Sequence, residues 1–141
     1  MSNSSPAVNF LTFAEFEAWS AGFPNASDPN ADPDNDGLVN RLEYAFNQNP
    51  AVTGAAPVTG AVQTLNVGGQ NGRYLTITFI KRIDSLDLSY TPEFSSNLAS
   101  WIPATELVSS TPGPGSTVTE IWRSSDPVTT AQRFFVRVRI Q

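Results

Sequence analysis

The sequence predicts a mainly β protein: an antiparallel β-sandwich of about seven strands, preceded by a small helix–calcium loop–helix segment. Composition is the first indication, because 40% of the 141 residues are hydrophobic but only 15% are charged. Ser, Thr, Asn, Gly and Pro supply much of the remainder, as is typical of β-rich proteins with many turns. The second indication is a change of period: apolar residues recur at helical spacing before residue 50 and alternate with polar residues after residue 60.

The chain divides into four stretches. Residues 1–9 form a polar lead-in, 10–50 the helix–EF-hand-like calcium loop–helix segment, 51–60 an irregular connector with spaced Pro and Gly, and 61–141 the β-sandwich. A chain of this length suits one domain, so we expect the sandwich and the N-terminal segment to pack as one unit.

The first helix is predicted to begin at Thr12, which has the spacing of a capping box with Glu15, and to end near Gly22. Its aromatic residues recur on one face, and we expect them to pack in the core rather than bind a ligand. These residues are Phe13, Phe16, Trp19 and Phe23.

The most specific motif is D-P-D-N-D-G-L-V-N-R-L-E, from Asp32 to Glu43. In a calcium loop, side-chain oxygens are needed at positions 1, 3, 5, 9 and 12, glycine at position 6 permits a sharp turn, and position 7 offers its carbonyl. Ca²⁺ suits such an oxygen cage better than Mg²⁺, which gives up its water reluctantly. We therefore predict a structural calcium site formed by Asp32, Asp34, Asp36, Leu38 (through its carbonyl), Asn40 and Glu43, with Gly37 at the turn.

The alternative is a polar turn, since Asp, Asn, Pro and Gly all favour turns. That alternative does not explain why Asn40 and Glu43 fall at ligand spacing inside the apolar pattern of a second helix that stops before Pro50. Upstream, Asp28 and Asn30 continue the alternate spacing, and they either hold a second cation or only set turns. The apolar pattern of the second helix consists of Leu38, Leu42, Ala45 and Phe46.

Strands are predicted wherever the period is two. Ala61–Val67 and Arg73–Lys81 flank Gly68–Gly72 and read as a hairpin, in which Leu75, Ile77 and Phe79 share one face. Further strands are expected at Leu86–Tyr90, Trp101–Ala104, Glu106–Ser109, Val118–Arg123 and Arg133–Ile140, with a long turn at Thr111–Ser116.

The last predicted strand has two different faces. One carries Phe134, Val136, Val138 and Ile140, and the other Arg133, Phe135, Arg137 and Arg139. Arginines beside an aromatic ring could hold an anionic polymer or a sugar acid, and solvated charges that guard a sheet edge are the alternative. Three other aromatic residues could stack on sugars if they are exposed, with burial as the alternative. The possible ligand-binding residues are therefore Trp101, Trp122, Tyr90, Arg137 and Arg139.

Composition also excludes several functions. The chain has no Cys and no His, so zinc sites, thiolate nucleophiles and His-based triads are absent and we predict no enzymatic activity. The net charge is −5, with no basic field for nucleic acid. No apolar run approaches the length of about 20 residues needed for membrane insertion. A single calcium loop suits an extracellular or cell-surface location, although the chain shows no signal peptide.

Four motifs in order carry a resemblance: F-x-x-W (Phe16 to Trp19), the calcium stretch from Asp32 to Pro50, L-S-Y-T-P-E-F-S-S-N-L-A-S-W (Leu88 to Trp101) and R-F-F-V-R-V-R-I (Arg133 to Ile140). Together they resemble the C-terminal module of large secreted or cell-surface proteins of Verrucomicrobia and Planctomycetes-type bacteria. In those proteins a dockerin-like or thrombospondin type 3-like calcium segment precedes a β-sandwich. The single loop departs from true dockerins, which have two.

From the calcium loop, the missing catalytic residue types and the aromatic residues of the sandwich, we expect a non-catalytic, calcium-stabilised accessory module of a secreted or cell-surface bacterial protein. It would serve adhesion or carbohydrate binding, with polysaccharide or cell-surface glycan as partner. By the resemblance, such modules usually end proteins whose other domains act on polysaccharides or build adhesive surfaces. The alternative is a C-terminal sorting or surface-assembly domain, or a structural subunit of an extracellular or virion assembly. Its partners would then be copies of itself or neighbouring domains of a parent protein.

Overall fold

The structure is a computed structural model that describes residues 16–54, 56–84, 88–128 and 133–141. Helix α1 is described over residues 16–20; its predicted start, with Thr12, Phe13 and Glu15, lies outside the described residues. The other elements are α2 (Asn40–Ala45), β1 (Val58–Val67), β2 (Gln70–Arg82), β3 (Tyr90–Ser95), β4 (Ile102–Pro103), β5 (Glu106–Pro112), β6 (Thr117–Arg123) and β7 (Phe135–Ile140).

The strands form two antiparallel sheets, which confirms the predicted fold class. One sheet has the order β1-β2-β6-β5 and the other the order β4-β3-β7. The sheets face each other across a core whose buried members are Phe46, Leu75, Ile77, Phe79 and Phe94. Alternate residues of β7 pack against this core, as its sequence predicts: Phe134, Val136, Val138 and Ile140.

The β1–β2 hairpin is tighter than the sequence predicts. Its turn consists only of Gly68 and Gly69, both with positive φ, as a two-residue type I′ turn requires. Residues 70–72 therefore belong to β2 instead of the loop. The strand β1 likewise begins at Val58, inside the predicted connector, because Val58 and Thr59 pair with Phe79 and Thr78.

The observed bounds of β3 and β5 also differ from the predicted ones, in each case next to a loop. Strand β3 begins at Tyr90 and not at Leu86, and residues 85–87 lie outside the described part of the chain. The predicted long turn is shorter, because β5 continues through Pro112. Proline is tolerated there because β5 pairs with β6 alone and its other side is a free edge. A register shift between Leu107 and Ser109 places a bulge in this edge strand.

The two sheets approach closely at one point between β1 and β7. A Cβ added to Gly60 would lie 2.8 Å from Cγ2 of Val136, which is closer than such atoms can come. Glycine at this position is therefore required by packing and not by backbone conformation.

The helical segment docks on one end of the sandwich. The side chain of Phe46, just after α2, belongs to the buried core, and Leu38 and Leu42 pack against that core. Tyr44 at the end of α2 also contacts the rings of Phe16 and Trp19 from α1. The calcium loop is thus held between two packed helical ends. No helix in the described part of the chain is long and apolar enough to span a membrane.

Candidate metal centre

Each aspartate of the loop uses one carboxylate oxygen to shape the backbone. Asp32 Oδ2 accepts from the main-chain N–H of Gly37 (2.9 Å), and Asp34 Oδ1 accepts from that of Asp36 (3.3 Å). Asp36 Oδ1 in turn accepts from Leu38 (2.9 Å). These bonds curl the chain so that the second oxygen of each carboxylate is left for another role.

Two residues adopt positive φ where the loop turns most sharply. Gly37 has φ of 92°, as its place in the motif predicts, and Asn35 has φ of 58°. Asparagine tolerates the left-handed region better than most residues, which explains why it fits here.

The base of the loop is closed by main-chain hydrogen bonds to the start of α2. The N–H groups of Asn40 and Arg41 donate to the carbonyls of Ala31 (2.8 Å) and Pro29 (2.9 Å). The side chain of Val39, the N-cap residue, cannot accept a hydrogen bond. The two carbonyls therefore satisfy N–H groups at the start of α2 that a capping side chain would otherwise bind. The Asn40 side chain adds a third bond, from Nδ2 to the carbonyl of Asp28 (2.8 Å).

Asn40 and Glu43 are brought to the loop by the first turn of α2, and both are completely buried. A buried carboxylate is costly unless it is paired, coordinated or protonated. No cationic side chain in the described part of the chain forms a salt bridge with Glu43.

Six buried side-chain oxygens of the five predicted ligands have no hydrogen-bond partner among the described residues. Buried polar groups of this kind are rare in folded proteins and point to a missing partner such as an ion. Both carboxylate oxygens of Glu43 are buried and lack a hydrogen-bond partner among the described residues, as bidentate binding of a cation at position 12 would require. The six atoms are Asp32 Oδ1, Asp34 Oδ2, Asp36 Oδ2, Asn40 Oδ1, Glu43 Oε1 and Glu43 Oε2.

The four carboxylates converge on one another. One oxygen each of Asp32, Asp34, Asp36 and Glu43 lie mutually within 4.8 Å. Two like charges at about 4 Å repel by about 1 kcal/mol in water and by about 4 kcal/mol at the effective dielectric constant near a protein surface. The cluster is therefore strained electrostatically unless a cation or protons compensate it.

That repulsion appears in the pKa values. Burial, and then the charges of Asp36, Asp34 and Asp32, raise the pKa of Glu43 to about 7. Burial also raises the pKa of Asp34, helped by its contact with Asp32. Both shifts have the sign expected of groups that hold a proton where a cation would otherwise bind.

The donor set fits calcium in number and kind. Six side-chain oxygens, with the Leu38 carbonyl and water available to complete the shell, match the six to eight oxygen ligands of Ca²⁺. Four carboxylates and one amide contain no soft ligand for a transition metal. The arrangement can hold a hard cation.

Asp28 and Asn30 form a turn in this structure, as one of their two predicted roles requires. Asp28 Oδ1 accepts from the main-chain N–H of Asn30 (2.9 Å), and the carbonyl of Asp28 accepts from Ala31. This is an Asx turn, and it positions the Asp28 carbonyl that binds Asn40.

Three of the predicted ligand-binding residues lie together on the small sheet. The guanidinium of Arg137 lies over the ring of Trp101, 4.1 Å from its centroid. Its Nε donates to Glu93 Oε1 (2.7 Å), and Nη2 of Arg139 lies 3.5 Å from Glu93 Oε2. The side chain of Glu93 is buried.

Tyr90 and Trp122 lie elsewhere, in packed surroundings. The ring of Tyr90 contacts those of Phe46 and Phe79, and its hydroxyl donates to the carbonyl of Ala45. Burial raises the pKa of Tyr90 to about 12. Trp122 packs against the core and donates from Nε1 to a carboxylate oxygen of Glu120 (3.0 Å). We therefore assign both residues a structural role.

Sequence reasoning missed two residues that organise these sites. Arg82 docks α2 onto the sandwich, and Glu93 holds the arginines of β7. Neither has a local signal, because each acts on residues that are far away in sequence. Glu93 falls at a polar position of its alternating strand, so nothing in the local sequence marks it as part of a buried ion pair.

Comparisons of the chain with protein-family models, with curated proteins and with solved structures find no match. The proposals below therefore rest on the sequence and on this geometry.

Proposed function

We propose that the chain is a non-catalytic, calcium-stabilised accessory module of a secreted or cell-surface bacterial protein, which serves adhesion or carbohydrate binding. The observation that carries this proposal is the set of six buried, unpartnered oxygens on the five residues of the loop motif. Motif and geometry agree residue by residue, and turn formation alone gives no reason for Asn40 and Glu43 to take part.

The calcium ion would act as a structural clamp. Asn40 and Glu43 belong to α2, whose end docks on the sandwich through Phe46 and the carbonyls of Tyr44 and Ala45. Binding energy at the loop would therefore stabilise the attachment of the helical segment to the β-sheets. Extracellular calcium is abundant enough to fill a single site of modest affinity, which favours a location outside the cell.

The test is a thermal melt in EDTA and in millimolar CaCl₂, together with a calorimetric titration of calcium. Calcium at about 100 times its Kd should add about 2.7 kcal/mol to the free energy of unfolding. The Glu43→Gln variant replaces the bidentate carboxylate with an amide of equal size. Calcium should therefore no longer increase its free energy of unfolding. Asp126→Asn, the same charge change at an exposed residue remote from the loop, should keep it.

Absence of both heat and stabilisation in the wild-type protein would refute the calcium part of the proposal. Equal stabilisation by magnesium at the same concentration would show a less selective cation site.

A second candidate is a surface-assembly or sorting domain. Several large apolar side chains are exposed, and contact with another copy or a neighbouring domain would remove them from water: Ile102 (68%), Val52 (59%), Leu98 (58%) and Ile83 (56%). Sedimentation of the calcium-loaded protein over a hundredfold range of concentration separates the candidates, because only self-assembly predicts a concentration-dependent mass.

A further inference from the structure

The outer side of strand β7 carries an arginine face, which we define as Arg137 and Arg139 with Trp101 and Glu93. Val136 and Val138 of β7 pack against the core, so the alternate residues 137 and 139 project from the opposite side of the sheet. Glu93 stands opposite Arg137 in the neighbouring strand β3. Two of the eight basic residues of the chain, Arg137 and Arg139, thus contact one carboxylate.

Arg137 is held in a fixed orientation. Its Nε–H is bound by Glu93, and its guanidinium plane lies over the indole of Trp101. Neither Nη group has a hydrogen-bond partner among the described residues, and 45% of the side chain is exposed. A guanidinium fixed through Nε keeps a second edge with two parallel N–H donors, which matches the two oxygens of a carboxylate or sulfate group.

The charges on the arginine face do not balance. Glu93 is the partner of both Arg137 and Arg139, so one buried carboxylate serves two cations. The face therefore has a surplus of positive charge on a chain whose net charge is −5, and an external anion would complete the pairing.

We propose that the arginine face binds the carboxylate or sulfate groups of an acidic polysaccharide. In this arrangement Arg137 receives the anionic group on its outer edge, Arg139 contacts the same or the next acidic group, and Trp101 positions Arg137. A polysaccharide with one acidic group per disaccharide suits the negative chain better than a nucleic acid, whose dense charge the acidic surface would repel.

The inference deepens the carbohydrate-binding part of the proposed function and rests on it, but it does not depend on the calcium loop. The two sites share no residue. A calcium-dependent thermal shift without polysaccharide binding would overturn only the proposal about the arginine face. Polysaccharide binding without a calcium-dependent thermal shift would overturn only the proposal about the calcium clamp.

The experiment measures binding of calcium-loaded protein to hexasaccharides by calorimetry at low and physiological salt. Hyaluronan supplies carboxylates, chondroitin sulfate supplies both carboxylates and sulfates, and a chitin hexamer is the neutral control. A single-stranded DNA hexamer tests phosphate. We expect binding to one or both acidic sugars, none to chitin and weaker binding to DNA.

Four variants locate the site. Arg137→Gln should weaken binding at least tenfold, and Arg137→Lys, which keeps the charge but loses the fork, several-fold. Arg73→Gln, a matched change at an exposed arginine of β2, should alter it less than twofold. Trp101→Phe should abolish any change in tryptophan fluorescence that hexasaccharide binding causes in the wild type.

Other outcomes would overturn the proposal: no acidic sugar binds, Arg73→Gln weakens binding as much as Arg137→Gln, or DNA binds more tightly than either sugar. If Arg137→Gln fails to fold because Glu93 loses its partner, Arg139→Gln replaces it, since its contact with Glu93 is longer at 3.5 Å. Each variant is accepted only if its circular dichroism spectrum and its melting temperature match those of the wild type.

Discussion

The guanidinium of Arg82 lies over the ring of Tyr44, 4.3 Å from its centroid, while its Nε donates to the main-chain carbonyl of the same tyrosine. Arg82 ends strand β2, and Tyr44 lies in the last turn of α2. A second donor, Nη2, reaches Asn47 Oδ1 (3.1 Å). A cation at the C-terminus of a helix also meets the negative end of the helix dipole. One side chain therefore joins the calcium segment to the large sheet.

Replacement of this arginine should weaken that connection. Arg82→Lys keeps the charge but loses the planar stack and the two-point hydrogen bonding, so we expect the free energy of unfolding to fall by about 1–3 kcal/mol. Chemical denaturation measures the loss. In the Arg82→Lys variant, amide hydrogen exchange should increase relative to the wild type more in α2 than in β6. The control variant Arg73→Lys should change neither the free energy of unfolding nor the exchange rates.

The pH dependence of stability should have opposite signs with and without calcium. Because folding raises the pKa of Glu43 from 4.5 to about 7, its stabilising contribution in EDTA is complete below pH 4.5 and is lost as the pH rises through 7. We expect the melting temperature in EDTA to fall across this range. With excess calcium it should rise instead, since the ion needs the deprotonated carboxylate.

Glu43→Gln is the control for this pH effect. Its melting temperature in EDTA should change less between pH 4.5 and 7 than that of the wild type, and calcium should have little influence. An identical slope in the two proteins would contradict the assignment of the effect to Glu43.

Asn40→Asp should separate calcium affinity from intrinsic stability. The change adds a fifth carboxylate and removes the donor to the Asp28 carbonyl. In EDTA we expect a loss of about 1–3 kcal/mol in the free energy of unfolding, from the lost hydrogen bond to the Asp28 carbonyl and the added repulsion. Calorimetry should show tighter calcium binding, because affinity rises with ligand charge. Weaker binding would show that the hydrogen bond to Asp28 matters more than charge.

Gly60→Ala should destabilise the sandwich. The new methyl group would lie 2.8 Å from Cγ2 of Val136, and valine is stiff, so the sheets must separate locally. Overpacking of this kind costs about 1–3 kcal/mol. Gly22→Ala is the matched control, since its Cβ would lie 3.5 Å from the nearest atom, an ordinary contact. Similar urea midpoints for the two variants would contradict the close approach of β1 and β7.

The features that depend on the spacing of nearby residues could be predicted from the sequence. The cluster of buried side-chain oxygens follows from a twelve-residue motif, and the core residues Leu75, Ile77 and Phe79 follow from strand alternation. The calcium ion itself stays a prediction that the proposed melts will test. Turn chemistry located the hairpin but overestimated its length, because the favoured two-residue turn needs only Gly68 and Gly69.

What the sequence could not predict depends on strand order. Glu93 meets Arg137 only because β3 and β7 are neighbours in the small sheet, 44 residues apart in sequence. Arg82 meets Tyr44 only because α2 docks at the end of β2. Alternating patterns specify which face of a strand is buried, but not which strand lies beside it.

The bulge in β5 affects how copies of the protein can contact one another through this free edge. A straight, free edge would offer a continuous row of main-chain donors and acceptors to another chain, and thereby invite fibre formation. The register shift between Leu107 and Ser109 and the proline at 112 interrupt that row. Copies that meet at this edge would therefore resist adding strand to strand through β5.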